Sequence, residues 1–344
     1  MLHARGPGSG RRPRPRPHLA AAVATVVLAA TGGALLLVGG CSSSPAPTPT
    51  TSPSVTHSAT ATAPTTNPLT GQGAATGHVL AVKIDNVGDA QTQHSGLNSA
   101  DLVYVIQVEG GLSRYLAVFD SVNAPSKVGP VRSARQTDIP LLAAFGRVGL
   151  AYSGAISGLL PDLAAANLQN ITAINSPKLF SNGGYSPTYI TPSAVFAAYP
   201  DLAQIKDVGF RFGSAPAGGQ AASSVTAKMP AATFVFTASG DQWLLSVDGE
   251  PANTLDQGRV NADNVIIQHV HVVAGKYTDH NAGHADNEVF SETTGSGAAD
   301  FYRDGTVWHG AWSKPSDTSP TNYTVSGKSM LLMPGRTWIV LEGS

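Results

Sequence analysis

Two arginines three residues apart, in Gly129-Pro130-Val131-Arg132-Ser133-Ala134-Arg135, are the strongest chemical signal in this 344-residue sequence. Guanidinium groups take carboxylate or phosphate through paired hydrogen bonds. Arg114, Arg132, Ser133 and Arg135 are therefore expected to form a binding site for an anionic ligand. A helix beginning at Pro130 would put both Arg132 and Arg135 in its first turn, where the dipole also welcomes an anion. The competing reading is an internal ion pair with Asp85, Asp101, Glu109 or Asp138. Asp85 and Glu109 each follow an apolar run that reads as a strand, so they could share one end of a sheet. Two such carboxylates beside Arg132 and Arg135 could do acid–base work in a cell-wall hydrolase or transferase. Simple pairing of either with Arg114 or Arg132 outweighs that, because catalysis needs a geometry that spacing alone does not supply.

The other constellations point to structure. His269 and His271 would face one side of a strand, with His280 and His284 close behind, but their spacing fits no closed zinc site. No metal and no cofactor is expected. Trp243, Trp308, Trp312 and Trp338 all fall in the last third and alternate with polar neighbours, which suits a β core better than a sugar-stacking strip. There is no Gly-x-Ser-x-Gly elbow, Walker loop or dinucleotide fingerprint.

The elements that must position the arginines are legible. Val79 to Ile84 is an apolar run closing on Asp85-Asn86. Leu102 to Val108 and Tyr115 to Phe119 flank Gly110-Gly111 and read as a hairpin. Thr137-Asp138 offers an N-cap to a helix over Ile139 to Phe145, ended by Gly146. A strand over Val148 to Tyr152 and a helix over Ser157 to Leu168 follow, giving a mixed α/β domain over 67–212, a layered sheet with helices. Gly213 to Ser224 is rich in Gly, Ala and Ser, and beyond it the pattern is β. Trp243 to Val247, Val265 to Val273, the Asp304-Gly305 turn and two strands around Pro334-Gly335 predict a β-rich domain over 222–344.

The N-terminus sets location. Arg5, Arg11, Arg12, Arg14 and Arg16 precede an apolar stretch from Leu19 to Val38 and then Gly39-Gly40-Cys41, the layout of a secretory signal over 1–40 with lipidation at Cys41. An uncleaved anchor is the alternative, since about 20 apolar residues can span a bilayer. Either way the expected address is the extracytoplasmic face of the cell membrane. Residues 41–66, built of Ser, Thr, Pro and Ala, read as a disordered tether. Cys41 is the only cysteine, so no disulfide can form. Losing the five arginines takes the formal charge from −1 to −6, which gives no sequence-independent attraction for nucleic acid. The expected partners are the membrane, through the lipid, and an anionic envelope or cell-wall ligand.

Several segments, in order, resemble the YerB-like bacterial lipoproteins, a two-domain family of unknown function. They are Asn67-Pro68-Leu69-Thr70-Gly71, Gln93-His94-Ser95-Gly96-Leu97 with Ala100-Asp101, Glu109-Gly110-Gly111 with Arg114, and the segment from Gly129 to Arg135. Asn264 to Gln268, Gly295-Ser296-Gly297, Asp304-Gly305, Trp312-Ser313-Lys314 and Pro334-Gly335-Arg336-Thr337-Trp338 complete the series. The resemblance implies the two-domain fold and the envelope address, and it brings no established reaction. One departure stands out: such proteins usually carry an Ala-Pro-His-Asn-like stretch where this chain reads Ser186-Pro187-Thr188-Tyr189, without histidine.

Overall fold

The computed structural model of the chain describes residues 65–182, 188–279 and 286–344. The expected signal, Cys41, the tether up to residue 64, Ser186-Pro187, His280 and His284 lie outside the described residues. In the N-terminal half the strands are β1 (Val79–Asp85), β2 (Leu102–Gln107), β3 (Ser113–Asp120), β4 (Val148–Ala151) and β5 (Leu168–Ile171). The helices are α1 (Asp138–Ala143), α2 (Leu160–Ala165) and α3 (Pro192–Ala198). With three α-helices of six or seven residues among the described residues, this half is only loosely α/β.

The C-terminal half is strand-rich, and its described residues include no helix. Its main strands are β6 (Ser224–Met229), β7 (Ala232–Ser239), β8 (Gln242–Val247), β9 (Asn264–Val270), β10 (Val272–Asp279) and β11 (Asp286–Ser291). They continue with β12 (Gly295–Arg303), β13 (Thr306–Lys314), β14 (Asn322–Val325) and β15 (Thr337–Gly343).

One 12-stranded sheet runs through both halves in the order β14-β13-β12-β9-β15-β2-β3-β1-β4-β5, with short strands at its margin. The junction is a parallel pairing of β15 with β2, Leu102 opposite Thr337 and Val105 opposite Val340. β15 also runs parallel to β9. Both faces of this sheet are covered, which is why its central strands read as continuous apolar runs rather than alternating ones. On one face Leu80, Val82, Val103, Tyr115, Ile267 and Val340 pack against Phe234, Phe236, Trp243 and Leu245 of a smaller sheet built on β6, β7 and β8. On the other, Ala81, Tyr104, Leu116 and Ile339 meet Leu141, Leu142, Phe145 and Leu163 around α1 and α2. Each large side chain removed from water in this way contributes about 1.5–3 kcal/mol. The tryptophans belong to these cores, at 0 to 4 % exposure.

Four expectations need correcting. The helix over Ser157 to Leu168 ends at Ala165, and Leu168 instead opens β5, parallel to β4. Thr137 does not cap α1 with its side chain; its Oγ1 accepts from the Ser291 N–H at 3.0 Å. The long strand over Val265 to Val273 breaks at His271, where β9 gives way to the separate β10–β11 ribbon. The strand expected on the near side of Pro334-Gly335 is only the two residues Lys328–Ser329, and it joins β14 rather than β15.

Candidate functional site

β1 and β3 run antiparallel with Asp85 directly opposite Arg114. Because strand side chains alternate, Lys83, Asp85 and Arg114 all emerge on the face covered by α1. The β2–β3 turn brings Glu109 to the same end. That turn needs Gly110 and Gly111, whose φ values are +65° and +72°, and a Cβ on Gly111 would sit 2.5 Å from Pro230 Cβ. The segment from Pro130 to Arg135 does not start a helix, so the alternative of an earlier start at Pro130 fails and both arginines lie ahead of the helix signalled at Thr137-Asp138. It runs extended beside the end of β1, with Asp85 N–H to Pro130 O at 2.9 Å and Arg132 N–H to Lys83 O at 2.8 Å. α1 begins only at Asp138. The arginines therefore owe nothing to a helix dipole.

The geometry gathers all six expected residues, and it consumes most of them. Arg132 Nε lies 3.2 Å from Asp85 Oδ2, with the arginine side chain 40 % exposed and the aspartate buried. Arg135 Nε contacts Glu109 Oε1 at 2.5 Å, both nearly buried; the N–H is not aligned on that oxygen, so the contact is ionic more than hydrogen-bonded. Ser133 contributes its carbonyl, which accepts from Arg114 Nη1 at a long 3.5 Å.

Three further residues complete the cluster. Lys83 Nζ reaches Asp138 Oδ1 at 2.6 Å, with neither side chain exposed at all. Burial pushes the Lys83 ammonium's pKa down, and the Asp138 charge and hydrogen bond push it back up. Asp138 Oδ2 also accepts from the Arg135 N–H at 2.7 Å. Glu288 enters from β11: its Oε1 accepts from the Gln136 N–H at 2.7 Å, and its Oε2 is buried with no partner. Burial raises the Glu288 pKa, against the Gln136 N–H and Arg135, while Glu109 and Asp138 push it further up. Lys83 could have been suspected, since a lysine inside an apolar run needs a buried counter-charge. Glu288 carried no such signal, because its ribbon shows no apolar alternation.

Arg114 is the odd member. It is 8 % exposed, makes no ion pair among the described residues, and its Nε is buried without a hydrogen-bond partner. Burial, reinforced by Arg135, holds its pKa down to about 10, still cationic at neutral pH. Behind the cluster His94, fully buried, donates from Nε2 to Asp85 O at 2.7 Å. Desolvation lowers its pKa to about 4, so it is neutral at pH 7. Chemically, the array offers one half-exposed guanidinium and a second, nearly buried one that Glu109 and Asp85 favour electrostatically but that makes no direct ion pair among the described residues. Asp85 and Glu109 are both engaged by arginines, while Glu288 keeps a buried Oε2 without a hydrogen-bond partner among the described residues.

Among the described residues no group of three or more His, Cys, Asp or Glu is arranged to hold a metal ion. His269 faces Asp300 and Glu342, each at 3.4 Å, rather than His271.

Comparison with known proteins adds the following. Residues 65–208 match the N-terminal domain, and residues 223–339 the C-terminal domain, of the proteins of unknown function described as DUF3048. YerB of Bacillus subtilis (strain 168), a candidate lipoprotein, is 40 % identical over 85 residues, which is 24 % of this chain and 25 % of that protein. The alignment thus spans about a quarter of that relative's length. The crystal structure of YerB from Bacillus subtilis superposes with a TM-score of 0.67 at 21 % identity, covering 80 % of this chain and 96 % of that one. At that identity the likeness speaks for the fold alone.

Proposed function

The chain belongs to the DUF3048 family of two-domain proteins of unknown function, and from that premise we propose that it is a lipid-anchored, extracytoplasmic binding protein for an anionic envelope ligand. The observation that carries this reading is Arg114, a nearly buried guanidinium without a direct ion pair among the described residues, close enough to the half-exposed Arg132 to feel its charge. A buried cation is costly unless paired, and an incoming carboxylate or phosphate seated on Arg132 supplies what Arg114 lacks. Engagement of Asp85 and Glu109 by arginines argues for binding over hydrolysis. The anchor rests on Gly39-Gly40-Cys41 behind an apolar run, and on the name of the Bacillus subtilis relative. Among the described residues no helix is long and apolar enough to cross a membrane.

The test is direct titration of the detergent-solubilised chain with carboxylate- and phosphate-bearing envelope fragments. Each charge-assisted contact is worth roughly 1.5–3 kcal/mol, so Arg132→Ala lowers affinity about 10-fold or more, read at a temperature where its melt shows the chain folded, because it also removes the ion pair to buried Asp85. Lysine at 132 rescues in part, keeping the charge but losing the planar fork. Absence of anion binding by the folded wild type ends the proposal.

A further inference from the structure

At the other end of β2 and β3 from the arginines lies a cleft of about 410 Å³ that both family domains line. Gln72, Ser99, Asp101 and Asn123 come from the first domain, Asp263 and Arg336 from the second. Its charges are spent internally. Arg336 Nε stands 3.4 Å from Asp263 Oδ2, the Arg336 N–H bonds the same oxygen at 2.6 Å, and the guanidinium also donates to Asn98 O at 2.8 Å and to Asn261 Oδ1. Gln242 Nε2 donates to the remaining Asp263 oxygen at 3.3 Å.

Asp101 is different. It is 4 % exposed, and its Oδ2 accepts from the Asp120 N–H at 2.7 Å. Its Oδ1 has no hydrogen-bond partner among the described residues and is not sealed from solvent, so it opens to the cleft that Asp101 lines. The adjacent Asp120 is fully occupied, taking Asn67 Nδ2 at 2.7 Å, Val122 N–H at 2.6 Å and both nitrogens of Asn123. Burial, then the Asp120 charge, push the Asp101 pKa up to about 8, so at neutral pH this carboxyl keeps a proton it can donate.

The remaining free groups are also neutral and of mixed sense. Ser99 Oγ accepts from Gln257 Nε2 at 2.6 Å, which leaves its own O–H to give. Gln72 spends its amide nitrogen on Pro334 O at 3.0 Å, and Asn123 spends its own on Asp120; each keeps an amide oxygen to accept. An anion finds no unmatched cation here, and an apolar ligand finds no apolar or aromatic wall. Hydroxyl groups, which donate and accept at once, complement this array without bringing charge. We propose that this interdomain cleft binds a neutral saccharide, with Asp101 and Ser99 donating to it and Gln72 and Asn123 accepting from it.

The test is calorimetric titration of the full chain in detergent with maltotetraose and chitotetraose, followed by variants. Binding of at least one oligosaccharide is expected, insensitive to salt and weakening as pH rises through about 8. Gln72→Ala and Ser99→Ala each weaken it several-fold with unchanged melts, and Asp101→Asn, which keeps an N–H donor, removes the pH dependence. Arg132→Ala leaves it unaltered, which separates this cleft from the anion site. Three results overturn the proposal: no binding by the folded wild type, binding indifferent to Gln72→Ala and Ser99→Ala, or calcium binding that Asp101→Asn abolishes.

Discussion

Replacing Asp101 with asparagine should stabilise the protein above about pH 4, and increasingly so as pH rises towards 8. Asparagine keeps an oxygen to accept the Asp120 N–H and never carries charge. Burial and the Asp120 charge push the aspartate's pKa up to about 8 in the folded chain, against an ordinary carboxyl value of 3.8. Between those values the folded chain holds a proton that the unfolded chain has released, so the stability associated with the neutral acid is complete below about pH 4 and drains away as pH rises towards 8. At about 1.4 kcal/mol per pH unit, the loss at pH 7 is roughly 4 kcal/mol, of which half would already be decisive. The residue is almost wholly buried, so solvent screening does little to reduce this. Urea unfolding of wild type and Asp101→Asn at pH 4, 6 and 8 reads the difference. The curves should nearly coincide at pH 4, with the variant ahead by about 2–4 kcal/mol at pH 7 to 8. A variant less stable at pH 8, or a gap indifferent to pH, would refute the assignment of a buried proton to this carboxyl.

The remaining expectations follow from the charge cluster and the shared sheet. Arg135→Ala removes the ion-pair partner of nearly buried Glu109 and should cost about 3–5 kcal/mol in denaturant. Lys83→Met leaves Asp138 without its ammonium, and a loss of similar size is expected, visible as a lower melting temperature. His94, with its pKa lowered to about 4 from 6.5, contributes stability that is full above about pH 6.5 and lost as pH falls through 4; His94→Gln should flatten that acid limb by up to roughly 3 kcal/mol. Differential scanning calorimetry should show one transition for both family domains, because β2 and β15 are hydrogen-bonded neighbours; two separated transitions would contradict this.

The strands were legible where burial on both faces leaves only apolar residues, as in Val79 to Ile84. The gathering of Asp85, Glu109 and the arginines could also be anticipated, since two carboxylates that follow strands pointing the same way must meet at one edge. What stayed hidden is long-range. Nothing near Arg132 announces that its backbone will bond Lys83 O instead of turning into a helix. Leu168 falls in phase with the α2 pattern, and only the parallel edge of β4 makes it a strand. Glu288 reaches the cluster because the β10–β11 ribbon packs on the first domain, with Tyr277 donating to Asp162 Oδ2 and a Cβ on Gly158 excluded by the Tyr277 ring. No local pattern encodes that docking. The cleft residue Asp101 looked like one more partner for an arginine, and burial gave it a proton instead.

The pairing of β15 with β2 also bears on how the chain must be made. β2 comes early in the sequence, and its neighbour on that side is Thr337–Gly343, more than two hundred residues later. For a chain that leaves the ribosome, or threads an export channel, N-terminus first, β2 waits with a bare row of amide and carbonyl groups until nearly everything else has emerged. An open edge of apolar strand is a template for wrong pairing, and contacts so distant in sequence form slowly. The nascent protein is therefore most vulnerable to self-association while its first domain is already outside and its last strand is still in transit.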